Sequence, residues 1–482
     1  MPTKQQKTLS FEGCQVEILR DPEKPSFFSR FTSFFSFIGS LPKRFYNTYL
    51  LLQHKEMIYP TSKNICPFRA FTSFPSLFFT FKITCIPELM KAILKPARND
   101  PEKGIFIDKE NQYVLFAIAK DLYPSEKIEI NDSLFTCHKD FLIKYRQPIL
   151  QFIGPNHIKA HRENLAQIAK EVIQSCSIQK QINATELSFV FTTNVISKLL
   201  LGHPGPFEIY KQISLALDCM NRLLLKKIWR QPLSSQEKKN YDEGLETIRK
   251  AIETSLQTCA TPNSLSFLRA MQDKNLNPIQ IKVSLFNMYF AGSETSASLL
   301  AYLLWQLGKH PEYQEEIYRD ITKEGIPVQE LVEDSLILNL VFAESIRLFT
   351  PAYLGSRRPA APLICRIKNA DGKVVFEEKI KKHEVFATAF TFAGQDPSRF
   401  ENPNQFNPRR FATTPPLDWK PFGDGAHTCP GQWLAKSEIM IFVALLVHRF
   451  RFASFPEKEP KQKGLITNKP SETIWISLSQ RD

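Results

Sequence analysis

No C-x-x-C pair occurs among the nine cysteines, which stand far apart at 14, 66, 85, 137, 176, 219, 259, 365 and 429. That spacing argues against a disulfide framework or a zinc knuckle, and for a reducing compartment. A membrane span is also missing from the most apolar early stretch. There Phe27, Phe28, Phe31, Phe34, Phe35, Phe37 and Phe45 follow near-helical spacing, but Arg30 interrupts on one side and Lys43–Arg44 on the other. The uncharged run between them, 31–42, has 12 residues, against about 20 for a span. The first 26 residues are polar and read as no secretory signal. A monotopic surface helix and a helix packed on the core stay open as readings of the Phe-rich stretch, the core being favoured. The expected location is cytoplasmic, with peripheral membrane contact as the other possibility. No Ser/Gly-rich spacer, low-complexity segment or internal repeat divides the chain, which reads as one large domain. Nor do the basic residues cluster: the net charge is +13, yet lysines and arginines are dispersed with no basic run carrying interleaved aromatics. Nucleic acid is therefore not an expected partner. An acidic electron-transfer protein or a membrane surface is the better use of the charge.

What the sequence does have is concentrated at 421–438. Pro421-Phe422-Gly423-Asp424-Gly425-Ala426-His427-Thr428-Cys429-Pro430-Gly431 runs into the apolar-periodic segment Trp433, Leu434, Ile439, Met440, Phe442, Val443, Leu445, Leu446, which reads as a buried helix. Two glycines let the backbone fold back where a side chain would clash. Pro430 suits a first helical turn, where its missing N–H is no loss. Cys429 thus sits on a Gly-rich loop aimed at a helix N-terminus, where unpaired N–H groups and the helix dipole stabilise a thiolate. Such a thiolate is either a nucleophile or a ligand for a metal such as haem iron.

Upstream, Asn277-Pro278 opens the longest predicted helix, running to about Gly308, with an apolar face from Val283 to Leu307. Inside it lies Ala291-Gly292-Ser293-Glu294-Thr295-Ser296. A glycine, an acid and two hydroxyls in mid-helix weaken the helix or bury polar groups, and such a local violation marks function. Glu344-Ser345-Ile346-Arg347 lies on the next apolar-periodic run, ended by Pro351; residues three apart share a helix face, so Glu344 and Arg347 can pair. Short apolar runs at 77–81 and 83–86 read as strands, with a helix over 87–94. Helical patterns fill about 134–260, and an Asn-Ala-Asp-Gly turn at 369–372 joins two strands in a hairpin.

The pattern F-G-x-G-x-H-x-C-x-G at 422–431 resembles the haem-binding loop of the cytochrome P-450 family, with Phe422, Gly423, Gly425, His427, Cys429 and Gly431 all at its anchor positions. The segment around Glu294 and Thr295 resembles that family's oxygen-activation motif. The resemblance is specific over about 278–450 and architectural over 53–260. It implies a mainly α fold with small β-sheets, an α+β helical bundle around a buried haem b, preceded by a Phe-rich extension at 1–50. Cys429 would be the axial iron ligand. Phe422, Gly423 and Gly431 would shape the loop, and His427 and Arg357 would bind propionates, with Arg358 the alternative if the register slips. The family also places a Trp or His and, four residues later, an Arg on the propionates. His157 fits the first place, but His161 occupies the second, with Arg162 one residue beyond. Glu344, Arg347 and Arg410 would form a buried structural triad. Thr295 would hydrogen-bond dioxygen or water, and Glu294 would relay protons. The last 20 residues look like a terminal hairpin whose tip, near Thr467–Pro470, closes the pocket.

The implied activity is monooxygenation: hydroxylation of an apolar substrate by dioxygen. No flavin or iron–sulfur module is seen, so electrons from NAD(P)H are expected through a separate ferredoxin, flavodoxin or flavoprotein reductase, docking near Lys420 and Lys436. A haem-thiolate isomerase or dehydratase and a peroxide-driven hydroxylase are the alternatives within the fold. Relatives of those kinds tend to lose the Glu–Thr pair. A non-catalytic haem sensor is the remaining reading, and it has no use for proton delivery. The substrate is not written in the sequence.

Overall fold

The computed structural model describes residues 113–201 and 234–481 apart from short breaks, together with strands at 15–20, 72–75, 80–84 and 106–108. The Phe-rich stretch at 26–52 and the helix expected over 87–94 lie outside the described residues. Among the described residues no helix is long and apolar enough to cross a membrane.

In chain order the elements begin with strands β1 (Gln15–Arg20), β2 (Thr72–Pro75), β3 (Thr80–Thr84) and β4 (Phe106–Asp108). Helices α1 (Tyr113–Leu122), α2 (Lys139–Ile153) and α3 (Arg162–Gln174) follow, then β5 (Gln181–Asn183), α4 (Ala184–Ile196), α5 (Ser235–Thr258) and α6 (Phe267–Gln272). The long helix α7 (Pro278–Lys309) leads to α8 (Pro311–Ile321), α9 (Val328–Leu331) and α10 (Leu336–Leu348). Strands β6 (Leu354–Pro359), β7 (Leu363–Lys368), β8 (Val374–Ile380) and β9 (Glu384–Ala389) precede the short helices α11 (Phe390–Gly394) and α12 (Arg410–Thr413). The chain ends with α13 (Gln432–Arg449), β10 (Phe450–Phe455), β11 (Gln462–Gly464), β12 (Asn468–Pro470) and β13 (Trp475–Gln480). Helices dominate and the sheets are small, the α+β class that the motifs implied.

Two compact units share these elements: 1–111, 353–404 and 416–428 make the first, and 112–352, 405–415 and 429–482 the second. The first holds the five-stranded sheet and one of the two three-stranded sheets. One has strand order β2-β3-β9-β6-β4, with β3 and β9 parallel and the other pairs antiparallel. The other is β1-β7-β8, in which Gly372 at φ +76° serves the turn of the β7–β8 hairpin. β3 bridges the gap between the two apolar runs read as separate strands, taking Phe81 from one and Ile83 from the other.

The second unit is built around α7. Asn277 caps it: its side chain accepts from Gln280 N at 2.8 Å, and Gln280 returns the bond to Asn277 N at 3.2 Å, with Pro278 in the first turn. This reciprocal box satisfies two of the N–H groups that a helix start leaves open. From Gln280 to Leu307 almost every side chain is buried, including Phe286, Leu300, Leu303, Leu304 and Leu307. A helix apolar on all sides is a core helix. Its most extensive partner is α4, and β10, α10 and α13 also pack on it. Burial of each such leucine is worth about 1.5–3 kcal/mol.

The C-terminal strands differ from the expected terminal hairpin. β13 buries Ile476 and Leu478 on one face and pairs antiparallel with β10 and β5. The hairpin is instead β11–β12, pairing Gln462 with Pro470 and Gly464 with Asn468. Alternating apolar residues drew β13 into a long-range sheet. Local adjacency did not decide the pairing.

Candidate active site

Each part of the cysteine loop has a local cause. Gly423 and Gly425 adopt φ +77° and +74°, left-handed conformations that residues with a Cβ rarely take. Between them Asp424 accepts a hydrogen bond from Gly425 N at 2.7 Å. The Gly425 carbonyl accepts both Thr428 N at 3.1 Å and the Thr428 hydroxyl at 2.7 Å, closing a 3-10 turn over Gly425–His427. Phe422 and His427 are half-buried. Cys429 is half-buried too, just ahead of the α13 N-terminus at Gln432. Gly431 caps that helix, and a Cβ there would come to 3.9 Å from the Cys429 Sγ.

A residue outside the expected set completes the cysteine's surroundings. Arg146 on α2 is half-buried. Burial lowers its pKa, and the Cys429 thiolate, close enough to act on it, raises it in part. Its signal was present in the sequence. Leu142, Tyr145, Ile149 and Ile153 make the buried stripe of α2, and Arg146 interrupts it four residues after Leu142. Among the residues that the resemblance put at the propionates, His161 and Arg162 also have protein partners. His157 is exposed. His161 Nε2 lies 3.0 Å from the Phe152 carbonyl, and its ring packs on Phe152; burial pushes its pKa down, only partly opposed by that bond. Arg162 pairs with Glu330 at 2.7 Å and Glu333 at 2.8 Å. Arg357 and Arg358 lie on β6, opposite Phe386 and Asp108; their side chains fall outside the described residues.

Glu344, Arg347 and Arg410 are brought together. Arg347 makes two bonds to Glu344, Nε to Oε2 and Nη2 to Oε1, both 2.7 Å, with each side chain 0% exposed. Arg410 Nε donates to Glu344 Oε1 at 3.1 Å, and Asn407 N donates to the same oxygen at 2.8 Å. Both arginines also reach the Gln405 carbonyl, at 3.3 and 3.2 Å. A buried pair with this many supporting donors offsets its desolvation; a bare pair would not. Arg409, the residue before Arg410, turns outward to Glu316.

On α7 the polar segment is specific in its contacts. Gly292 faces α4 so closely that a Cβ would lie 2.3 Å from Ile196 Cδ1. Thr192 of α4 donates to the Ser293 carbonyl at 2.8 Å. The Thr295 hydroxyl donates to Ala291 O at 2.6 Å, one turn back on its own helix. Glu294 is 2% exposed. It accepts a 2.5 Å bond from the Thr467 hydroxyl and pairs with Lys469. One further residue ties α7 to the cysteine's helix: Glu438 of α13 is fully buried and hydrogen-bonded to Ser296.

The donor set fits a haem. A lone thiolate offers a metal one bond, which suits an iron whose in-plane ligands come from a macrocycle. Gly431 leaves room beside the sulfur, and Arg146 supplies positive charge near it.

Comparison with known proteins identifies the family. The family profile for Cytochrome P450 matches residues 146–476, more than half of the chain. Rattus norvegicus cytochrome P450 4F6 is 28% identical over 248 residues, covering 48% of this chain and 44% of the relative. Cytochrome P450 4F5 of the same organism is 30% identical over 261 residues, covering 52% and 46%. A Homo sapiens ultra-long-chain fatty acid omega-hydroxylase is 27% identical over 220 residues, covering 44% and 41%. The matched part spans less than half the length of each of these relatives. With a thiolate loop, a buried Glu–Arg pair and an acid–alcohol helix in one chain, and with a family match over most of its length, the chain belongs to the cytochrome P450 family.

Proposed function

We propose that this protein is a haem-thiolate monooxygenase that hydroxylates an apolar organic substrate with dioxygen, using electrons from a separate redox partner. A bound haem would supply the oxygen-activating chemistry, with Cys429 as the thiolate that would hold its iron. His427 is the imidazole donor for a propionate, and Arg146 places positive charge near the cysteine. Glu344, Arg347 and Arg410 hold the segment leading to the loop.

The observation that carries the reading is the acid–alcohol pair on α7. Glu294 is buried, and Thr295 holds its proton on the Ala291 carbonyl. That hydroxyl can turn from the carbonyl toward the pocket, accept a proton and pass one on. Glu294 is the adjacent group able to replace it. An isomerase or a gas sensor has no step that consumes protons from such a pair. Electrons would enter from a partner that docks on exposed basic residues such as Lys436. The name of the human relative supports a long-chain fatty acid as the substrate class.

The test is reconstitution with a flavoprotein reductase, NADPH and a long-chain fatty acid under 18O-labelled dioxygen. The expected product carries one labelled oxygen on a former C–H carbon. In Thr295→Ala and Glu294→Gln, NADPH oxidation continues but yields peroxide in place of product. Conversion of a hydroperoxide without NADPH, and with no label incorporated, would overturn the proposal in favour of an isomerase.

A further inference from the structure

Glu294 is buried on α7 together with Ser293 and Ser296, while Thr295 beside it is half-buried. Its carboxylate is held from outside the helix by the C-terminal hairpin. Thr467, 3% exposed, donates to Oε2 at 2.5 Å, and the Lys469 ammonium pairs with Oε1. Unlike both of these, the Lys469 side chain is 20% exposed, so it spans the distance between the buried acid and the surface. The hairpin is fixed to the rest of its unit at a second place. Asn468, 0% exposed, donates its N–H to the Pro351 carbonyl at 2.7 Å, and Gln462 donates to the Leu348 carbonyl at 3.0 Å. Leu348 ends α10, the helix of Glu344 and Arg347, so the same framework that carries the buried triad sets the position of Lys469.

We infer that the C-terminal hairpin is the solvent-side station of proton entry: Lys469 recharges Glu294, and Thr467 orients its carboxylate. This rests on the reading of Glu294 as a proton donor to the site. Chemically, a proton passes from the Lys469 ammonium to the Glu294 oxygen it faces, leaving an amine and a neutral acid. Solvent reprotonates the amine at its exposed end, and the acid gives its proton inward toward Thr295. One proton is carried per cycle and no electron moves. The Thr467 bond leaves Oε1 as the oxygen facing the lysine.

The experiment compares Lys469→Met, Lys469→Arg, Thr467→Val and Glu294→Gln in the haem-loaded full chain, keeping only variants whose reduced, carbon monoxide-bound spectrum matches wild type. Urea unfolding of the Lys469→Met and Glu294→Gln single and double variants first tests the pair: a non-additive double variant is expected, and strict additivity would overturn the contact. The second readout is the solvent hydrogen isotope effect on turnover and the fraction of NADPH lost as peroxide. Lys469→Met is expected to raise peroxide loss roughly tenfold and enlarge the isotope effect, and Lys469→Arg, which keeps the charge but cannot give up its proton, to do the same. In the Glu294→Gln background Lys469→Met should add nothing. If Glu294→Gln changes both quantities and Lys469→Met neither, the hairpin route is wrong while the role of Glu294 stands. Should Glu294→Gln itself change nothing, that role fails and the inference falls with it.

Discussion

Glu438, on the helix that begins just after Cys429, is fully buried and hydrogen-bonded to Ser296, the residue beside Thr295 on the long helix. One carboxyl thus joins the element carrying the thiolate to the element carrying the acid–alcohol pair. Burial pushes its pKa up to about 8, with the Ser296 bond opposing this in part, so the group is neutral in the folded protein at pH 7.

That shift has a defined consequence for stability. The folded state keeps the proton up to about pH 8, whereas an unfolded glutamate releases it near pH 4.3. Between those values the unfolded chain binds fewer protons, so stability falls as pH rises, by at most about 1.4 kcal/mol per pH unit. Below that window the stabilisation is complete, and above it the loss levels off. Urea unfolding of wild type between pH 5 and pH 8 should show this slope, and Glu438→Gln should flatten it. An unchanged slope in the variant would mean that Glu438 ionises normally.

The Glu344–Arg347 pair makes a sharper demand on folding. Both side chains are 0% exposed, so Arg347→Ala strands a buried carboxylate and should cost about 3–5 kcal/mol. Arg410 contributes one bond to the same carboxylate and is 11% exposed; Arg410→Ala should cost about 1–3 kcal/mol. Denaturant unfolding of the two variants orders them, and a smaller loss for Arg347 than for Arg410 would contradict the geometry.

Gly292 is required by packing as well as by any role in the pocket. An added Cβ would lie 2.3 Å from Ile196 Cδ1 and 2.7 Å from Cγ1. Gly292→Ala should therefore destabilise by about 1–3 kcal/mol through overpacking. Ile196→Val, which removes the nearer methyl, should recover part of that loss in the double variant. Thermal unfolding of the three proteins measures it, and strict additivity would show that the two side chains do not meet.

The long helix, the Glu–Arg pair and the turn at Gly372 were legible because each is written in local chemistry: a capping box, a three-residue spacing, a turn sequence. Cys429 stood out because helix-start signals and glycines surround it. Two things were not legible. Arg146 was overlooked because only its break in an apolar stripe marked it. Whether a helical cation faces a thiolate or solvent depends on tertiary packing, which only an anomaly on the apolar stripe hints at. The partners of Glu294 were hidden for a related reason: Thr467 and Lys469 are more than 170 residues away along the chain, and a turn followed by a three-residue strand carries no trace of what they meet. The terminal strand was misassigned to a hairpin because adjacency was weighed above the long-range pairing with β10.

The central claim is that Cys429 is the axial thiolate of a bound haem. It is tested most directly by the absorption spectrum of the dithionite-reduced protein under carbon monoxide, recorded for wild type and Cys429→Ser. The account predicts a Soret band at the red-shifted position typical of a thiolate ligand, and its loss in the variant. A wild-type protein that is folded and haem-loaded yet lacks that band, or a variant that keeps it, would contradict the account.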